Sequence, residues 1–290
     1  MTKTSGYNLS SSPFYKMTNV KRLAKLLGVT SETLENIANS KNNYEEWDDV
    51  KQGKVRHIEA PRPKLKSIQK KISKLLTKIE PPAYLFCPAK GRTYFENAEI
   101  HVGSMVIRKL DIKAFFQSTA PAAVIRFYSQ TMKCAPHIAA LLTKLTIFNN
   151  HLPTGSPLSP IMSYFAYRDM WDEIEQVVLT NGKKISLWMD DLIISGQSVP
   201  EKLMWSIKKI IHNTGLRYHT GKKSRSYFSG TGEVTGLIVT PKGIVAPHRT
   251  HIKIWKEAKI LAEQKSNETP RLKGLRVQIN EIKKRTATAK

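Results

Sequence analysis

Ile185-Ser186-Leu187-Trp188-Met189-Asp190-Asp191-Leu192-Ile193-Ile194-Ser195 is the stretch that decides the fold. Two short runs of β-type residues flank a polar pair, which predicts a hairpin with adjacent carboxylates at its tip. Neighbouring carboxylates repel one another unless a cation neutralises them. Magnesium, a hard divalent ion with a preference for oxygen ligands, suits such a tip. An isolated Asp-Asp pair is more often a solvated turn, so the remaining chain must supply the other parts of a metal site.

Leu110-Asp111-Ile112-Lys113-Ala114-Phe115-Phe116 ends a second strand-like run, Met105 to Ile112, with an acid and a bulky aromatic pair. Brought beside Asp190, Asp111 completes a site for two divalent ions, which stabilise the attacking and leaving oxygens of an in-line phosphoryl displacement. Between these acids lies Leu152-Pro153-Thr154-Gly155-Ser156-Pro157-Leu158-Ser159-Pro160. Gly155 between prolines lets backbone approach a ligand, and Ser159 can cap the helix that follows.

The composition narrows the class of partner. Lys and Arg number 47 against 23 Asp and Glu, giving a net charge of +24. Such an excess points to a polyanion, and phosphate backbones bind through fields of this kind. The basic residues are spread along the chain and form no single amphipathic anchor, which argues against a membrane partner. No stretch approaches the ~20 apolar residues that span a bilayer, and Met1 to Phe14 lacks the apolar core of a secretion signal. Cys87 and Cys134 are too few for a disulfide framework or a zinc site, so a reducing cytoplasm is expected.

Periodicity and breakers predict short helices over Asn19 to Leu27 and Ser31 to Ala38, the second capped by Thr30 or Ser31. A hairpin follows, with Tyr44 to Val50 and Lys54 to Ile58 joined at Gln52-Gly53. Leu65, Ile68, Ile72, Leu75, Leu76 and Ile79 recur at helical steps, and Pro81-Pro82 ends that helix. Ala83 to Gly103 reads as irregular. Helices are expected at Pro121 to Gln130, Pro136 to Thr146, Ser159 to Val178 (one long helix) and Glu201 to Asn213. Short strands are expected over Leu216 to Ile238, then one or two basic helices over 249–285. Helices and hairpins in mixed order predict an α+β class.

The order of these segments resembles that of a reverse transcriptase. DIKAFF is similar to palm motif A, LPTGSPLSP to motif B, and WMDDLIIS to the motif C usually written Y-x-D-D. Arg56-His57-Ile58 with Pro61, Leu65, Lys66 and Gln69 is similar to the fingers segment, and Gly215-Leu216 with Lys222-Lys223-Ser224 to motif D. Asn97-Ala98-Glu99-Ile100-His101 and Val234-Thr235-Gly236 match the N-A-x-x-H and V-T-G motifs of the retron type.

The resemblance implies a right-hand polymerase fold with fingers, an antiparallel palm sheet and a short helical thumb. Residues 1–43 are then an N-terminal helical extension, 44–104 fingers, 105–240 palm with part of the fingers at 120–150, and 241–290 thumb. It implies that Asp111, Asp190 and Asp191 hold two Mg2+ ions, with help from the Ile112 carbonyl, and that Lys223 (or Lys222) protonates the pyrophosphate leaving group. Lys66 and Arg92 are implied as triphosphate ligands. Phe116 takes the steric-gate position against a ribose 2′-hydroxyl, with Thr154 and Gly155 also at the nucleotide and Phe115 in the core. Trp188, Asn97, His101, Val234, Thr235 and Gly236 are implied at the primer or RNA. The chain departs from the family pattern at Trp188 (usually tyrosine), Thr154 (often glutamine) and Trp171 (often aspartate). The implied function is synthesis of branched, RNA-linked single-stranded DNA (msDNA) from deoxynucleoside triphosphates, in anti-phage defence. The implied partners are a cognate structured RNA (msr-msd), its DNA product and a separately encoded effector. Group II intron-like and diversity-generating enzymes, and a catalytically silent RNA-binding scaffold, are the competing readings.

Overall fold

In the computed structural model, residues 6–51, 53–221, 224–264 and 267–288 are described. Helix α1 (Val20–Leu27) starts where the Asn19 side chain accepts the Arg22 N–H at 3.0 Å, and α2 (Ser31–Asn39) starts on Thr30 in the same way. Strands β1 (Tyr44–Lys51) and β2 (Lys54–Pro61) pair antiparallel from Tyr44↔Pro61 to Lys51↔Lys54. Pro63 opens α3 (Pro63–Leu76), where its missing N–H removes no helical bond, and Leu65, Ile68, Ile72 and Leu76 are buried.

The stretch expected to be irregular holds two elements, β3 (Leu85–Cys87) and α4 (Tyr94–Glu99). Strand β3 is too short to show a period, and its partner lies a hundred residues downstream in the chain. Helix α4 had a readable signal: Thr93 and Glu96 form a reciprocal capping box, each side chain accepting the other's backbone N–H.

Strand β4 (Val106–Asp111) leads to α5 (Pro121–Arg126), which runs into a π-helical turn at Phe127–Thr131, and then to α6 (Pro136–Lys144). The single helix expected over Ser159 to Val178 is two, α7 (Ser159–Ala166) and α8 (Arg168–Thr180). The break is at Tyr167, at φ −123° and ψ 23°, whose hydroxyl donates to the Ser118 carbonyl at 3.2 Å. Tertiary anchoring of that buried ring overrides a continuous helical period. The chain continues through β5 (Lys184–Trp188), β6 (Asp191–Gly196), α9 (Glu201–Asn213), β7 (Ser226–Tyr227), β8 (Gly232–Val234), β9 (Leu237–Thr240) and β10 (Gly243–Val245). It ends in α10 (His248–Glu263) and α11 (Pro270–Thr288). None of the described helices is long and apolar enough to cross a membrane.

The central sheet has the order β3-β5-β6-β4-β7. It is antiparallel except at one margin, where β3 runs parallel to β5. A smaller antiparallel sheet, β10-β9-β8, packs with α4 and α11. Against the central sheet, fully buried His101 links two strands: Nδ1 lies 2.7 Å from Ser195 Oγ on β6 and Nε2 lies 2.8 Å from Ser186 Oγ on β5. Ser104 Oγ joins Ser195 Oγ at 3.0 Å. A neutral imidazole has one donor and one acceptor, which two hydroxyls satisfy. Burial, with a smaller contribution from Lys184, pushes the His101 pKa down to about 3.

This sets a pH dependence of stability. The folded imidazole stays neutral, whereas the unfolded one takes a proton below its ordinary value of 6.5. Stability is therefore complete above that value and falls by up to about 1.4 kcal/mol per pH unit on acidification, until the folded pKa is reached. Urea unfolding at about pH 7.5 and 5 is expected to show a steeper loss for the natural chain than for His101→Gln. Equal losses would mean that His101 is not held neutral.

Candidate active-site cleft

Strands β4 and β6 pair in a register that runs from Val106↔Gly196 to Asp111↔Asp191. Asp111, the last residue of β4, therefore stands directly opposite Asp191, the first of β6. Strands β5 and β6 close on Trp188↔Asp191, leaving Met189 and Asp190 as the turn. Met189 adopts φ +59°, in the left-handed region, at an expense of about 1–2 kcal/mol for a residue with a side chain. Neighbouring strands hold it there: the Met189 N–H donates to the Cys87 carbonyl at 2.9 Å, and the Ile112 N–H donates to the Asp190 carbonyl at 2.9 Å. A strained turn fixed from both sides gives Asp190 little freedom.

Asp111, Asp190 and Asp191 lie at one end of the sheet, and a lysine and a histidine stand next to two of them. Lys109 Nζ lies 3.3 Å from Asp191 Oδ2. His219 Nε2 lies 3.5 Å from Asp111 Oδ1, and the His219 N–H donates to the Asp111 carbonyl at 2.7 Å. Burial, and then the Asp190 charge, raise the Cys87 thiol above its ordinary value. Lys109 and His219 carried no motif in the sequence. Only the alternation of β4, which puts Lys109 and Asp111 on one face, hinted at the first.

Asp190 borders a cleft of about 550 Å³. Ile112, Phe116, Asp190 and His219 form one wall; Arg56, His57 and Thr154 form the other. The two adjacent phenylalanines both line the cleft but differ in burial. Phe115 is buried, with its ring edge-on to Trp171 at 6.1 Å, and Phe116 is half-buried.

Hairpin β1–β2 is fastened to the loop before α7 through Thr154 and Gly155. Thr154 Oγ1 donates to the His57 carbonyl at 2.9 Å and accepts the Glu59 N–H at 3.1 Å. The Gly155 N–H donates to the Glu59 carbonyl at 3.0 Å. A Cβ at position 155 would lie 2.7 Å from that same oxygen and 3.0 Å from Ala60 Cα. The close approach that glycine permits is thus to β2, not to a ligand as the sequence suggested. The buried Glu59 carboxylate takes the Thr154 N–H at 3.3 Å and pairs with His151 Nε2 at 2.9 Å.

Other expected site residues fall elsewhere. Lys66 is exposed on α3, outside the cleft lining. The Arg92 guanidinium donates to the Ala83 carbonyl at 2.5 Å and sits 5.2 Å from the Phe86 ring centre. Arg56, which does line the cleft, was noted in the sequence only as part of a fingers-like segment. Asn97, His101 and Val234 have no exposed surface, so in this fold they cannot touch RNA directly. Asn97 joins α4 to the β8–β9 turn instead, with Nδ2 3.4 Å from Thr235 Oγ1, which donates to the Tyr94 carbonyl at 3.1 Å, while His101 bonds β5 and β6. Gly236, at φ +82°, is exposed beside half-buried Thr235, and half-buried Trp188 closes the β5–β6 turn. Lys222 and Lys223 lie outside the described residues.

An antiparallel sheet that gathers carboxylates at one end, beneath a cleft roofed by a β-hairpin, defines the right-hand polymerase fold. The chain belongs to the reverse transcriptase (RNA-dependent DNA polymerase) family, whose model matches residues 40–239. Its similarity within the family is to the retron type. It is 28% identical to the Retron Se72 reverse transcriptase of Salmonella heidelberg (strain 579083-10) over 201 residues, 68% of this chain and 53% of that protein. To the Retron Ec86 reverse transcriptase of Escherichia coli it is 25% identical over 235 residues, 79% of this chain and 73% of that protein. A Myxococcus xanthus relative, the Retron Mx65 reverse transcriptase, is 26% identical over 77% of this chain and 57% of that protein. The chain thus spans about half the length of the Salmonella protein.

The packing at Gly155 is directly testable. Gly155→Ala forces β2 and the loop apart and is expected to lower stability by about 1–3 kcal/mol, read from urea unfolding. A stability equal to that of the natural chain would mean that the hairpin separates from this loop at no cost.

Proposed function

We propose that the chain is an RNA-directed DNA polymerase of the retron type, using two Mg2+ ions to copy its cognate structured RNA into RNA-linked single-stranded DNA. The observation that carries this reading is the Asp111↔Asp191 pairing beside a pinned Asp190, which lines a cleft together with Arg56. Asp111, Asp190 and Asp191 supply hard oxygen donors from one end of the sheet, a donor set that fits magnesium. When bound, the ions neutralise the charge that builds on the attacking and leaving oxygens of nucleotidyl transfer. Residues 44–104 serve as fingers, 105–240 as palm with a fingers portion at 120–150, 241–290 as thumb and 1–43 as an N-terminal extension.

Within that frame the side chains have separate tasks. Arg56 presents a guanidinium that can hold triphosphate oxygens by paired hydrogen bonds. Phe116 sets its ring where a ribose 2′-hydroxyl would have to go, favouring deoxynucleotides. Lys109 offsets the charge of Asp191 and keeps it oriented. Thr154 holds β2 and forms part of the nucleotide wall. Lys223 is assigned protonation of pyrophosphate, and Thr235 with Gly236 the RNA contact, on the sequence resemblance alone. The retron reading carries with it an msr-msd RNA partner, a separately encoded effector and a part in anti-phage defence.

One comparison separates the competing readings. Nucleic acid that co-purifies with the natural chain is expected to contain single-stranded DNA joined to one short RNA, and Asp190→Asn with Asp191→Asn is expected to abolish it. RNA alone from both proteins would support a binding scaffold, and DNA copied from diverse templates another polymerase class. Phe116→Ala is expected to raise ribonucleotide incorporation in primer extension by at least about tenfold, the equivalent of 1.4 kcal/mol of lost discrimination. Unchanged discrimination would remove Phe116 from the gate.

A further inference from the structure

We propose that Glu46, His57 and Glu59 form a second metal site, on the β1–β2 hairpin, for a first-row transition ion of the zinc class. Glu46 is the cross-strand partner of Glu59, and His57 stands two residues from Glu59, so the three side chains leave the hairpin on one face. One ligand atom from each lies within 4.8 Å of the others, and His57 Nε2 is 3.1 Å from Glu46 Oε2. These residues are separate from Asp111, Asp190 and Asp191, and the inference does not depend on the proposed reaction.

Three independent features point to a cation. The supporting shell is already built: Asp48 Oδ1 is 2.9 Å from His57 Nδ1, and His151 Nε2 is 2.9 Å from Glu59 Oε2. A metal-bound histidine characteristically gives its other ring N–H to a carboxylate, and bound carboxylates are themselves hydrogen-bonded. Directly opposed carboxylates destabilise a sheet, and one of these, Glu59, is only 3% exposed. Without an ion, His57 can serve both Asp48 and Glu46 only as imidazolium, because each ring nitrogen must then carry a proton. An ion at Nε2 replaces one of those protons and leaves Nδ1–H for Asp48.

The charge pattern agrees. Strand β1 carries Glu45, Glu46, Asp48 and Asp49 in a chain of net charge +24, and its hairpin borders the cleft. A divalent ion there cancels acidic charge where a polyanion must enter. One imidazole with two carboxylates suits zinc or manganese better than magnesium, which rarely takes nitrogen.

Titration of the chelator-treated full chain with Co2+ alone, read by visible absorption, tests the site. The natural chain is expected to show one saturable imidazole-type band, retained when Asp111 and Asp190 are both changed to Asn. His57→Gln is expected to abolish the band, and Asp48→Asn to weaken binding about 10–100-fold. Glu46→Gln, at an exposed position, gives a second reading if His57→Gln fails to fold by circular dichroism; it too should lose the band. No saturable band in the natural chain, or the same curve in a folded His57→Gln or Glu46→Gln, overturns the proposal and leaves a network of ion pairs.

Discussion

The register of β4 against β6 is the constraint on which the molecule depends. It sets Asp111 opposite Asp191, and through the Trp188↔Asp191 closure it fixes where Asp190 projects. A slip of one residue turns every side chain of a strand to the other face. Here that would set Leu192 opposite Asp111 and take Asp191 off the face the two acids share. The pairing register of these strands and the placement of the acids are therefore one specification. Repulsion at the strand ends opposes it, and Lys109 relieves part of that opposition.

A second layer of order comes from the hairpin β1–β2. A two-stranded ribbon has marginal stability by itself. This one is supported by a loop arriving from far along the chain, with Thr154 and Gly155 bonding its backbone and His151 meeting its one buried acid. Both walls of the cleft are thereby referred to the same loop, which leads straight into α7. The position of Arg56 relative to Asp190 is a property of that junction more than of either strand.

How much of this was legible in the sequence follows from the range of the interactions involved. Asp111, Asp190 and Asp191 could be found because local strand patterns lead into them, and Phe115 and Phe116 could be told apart by their offset from Asp111. Helices α1, α2, α3 and α9 were readable from caps and apolar spacing. Tyr167 was not, because its bend is imposed by partners at Ser118 and Phe115 that no local period reveals. Strand β3 was hidden for the same reason. Asn97 and His101 were recognised as a motif, but a motif does not say which way its side chains point, and burial sends them inward. Arg92 and Lys66 were implied by the resemblance and by their charge, and in so basic a chain charge has little power to select.

The contact at Gly155 has a meaning for how such a chain can diversify. Its backbone and that of Glu59 and Ala60 occupy one shared space, with no room for even a methyl group between them. Positions 59, 60 and 155 therefore cannot drift separately. A change of residue at 155 needs a prior shift of β2, and that shift would displace the wall carrying Arg56 and His57. Variation around the cleft is thus channelled toward side chains such as Phe116, which can change without moving β2.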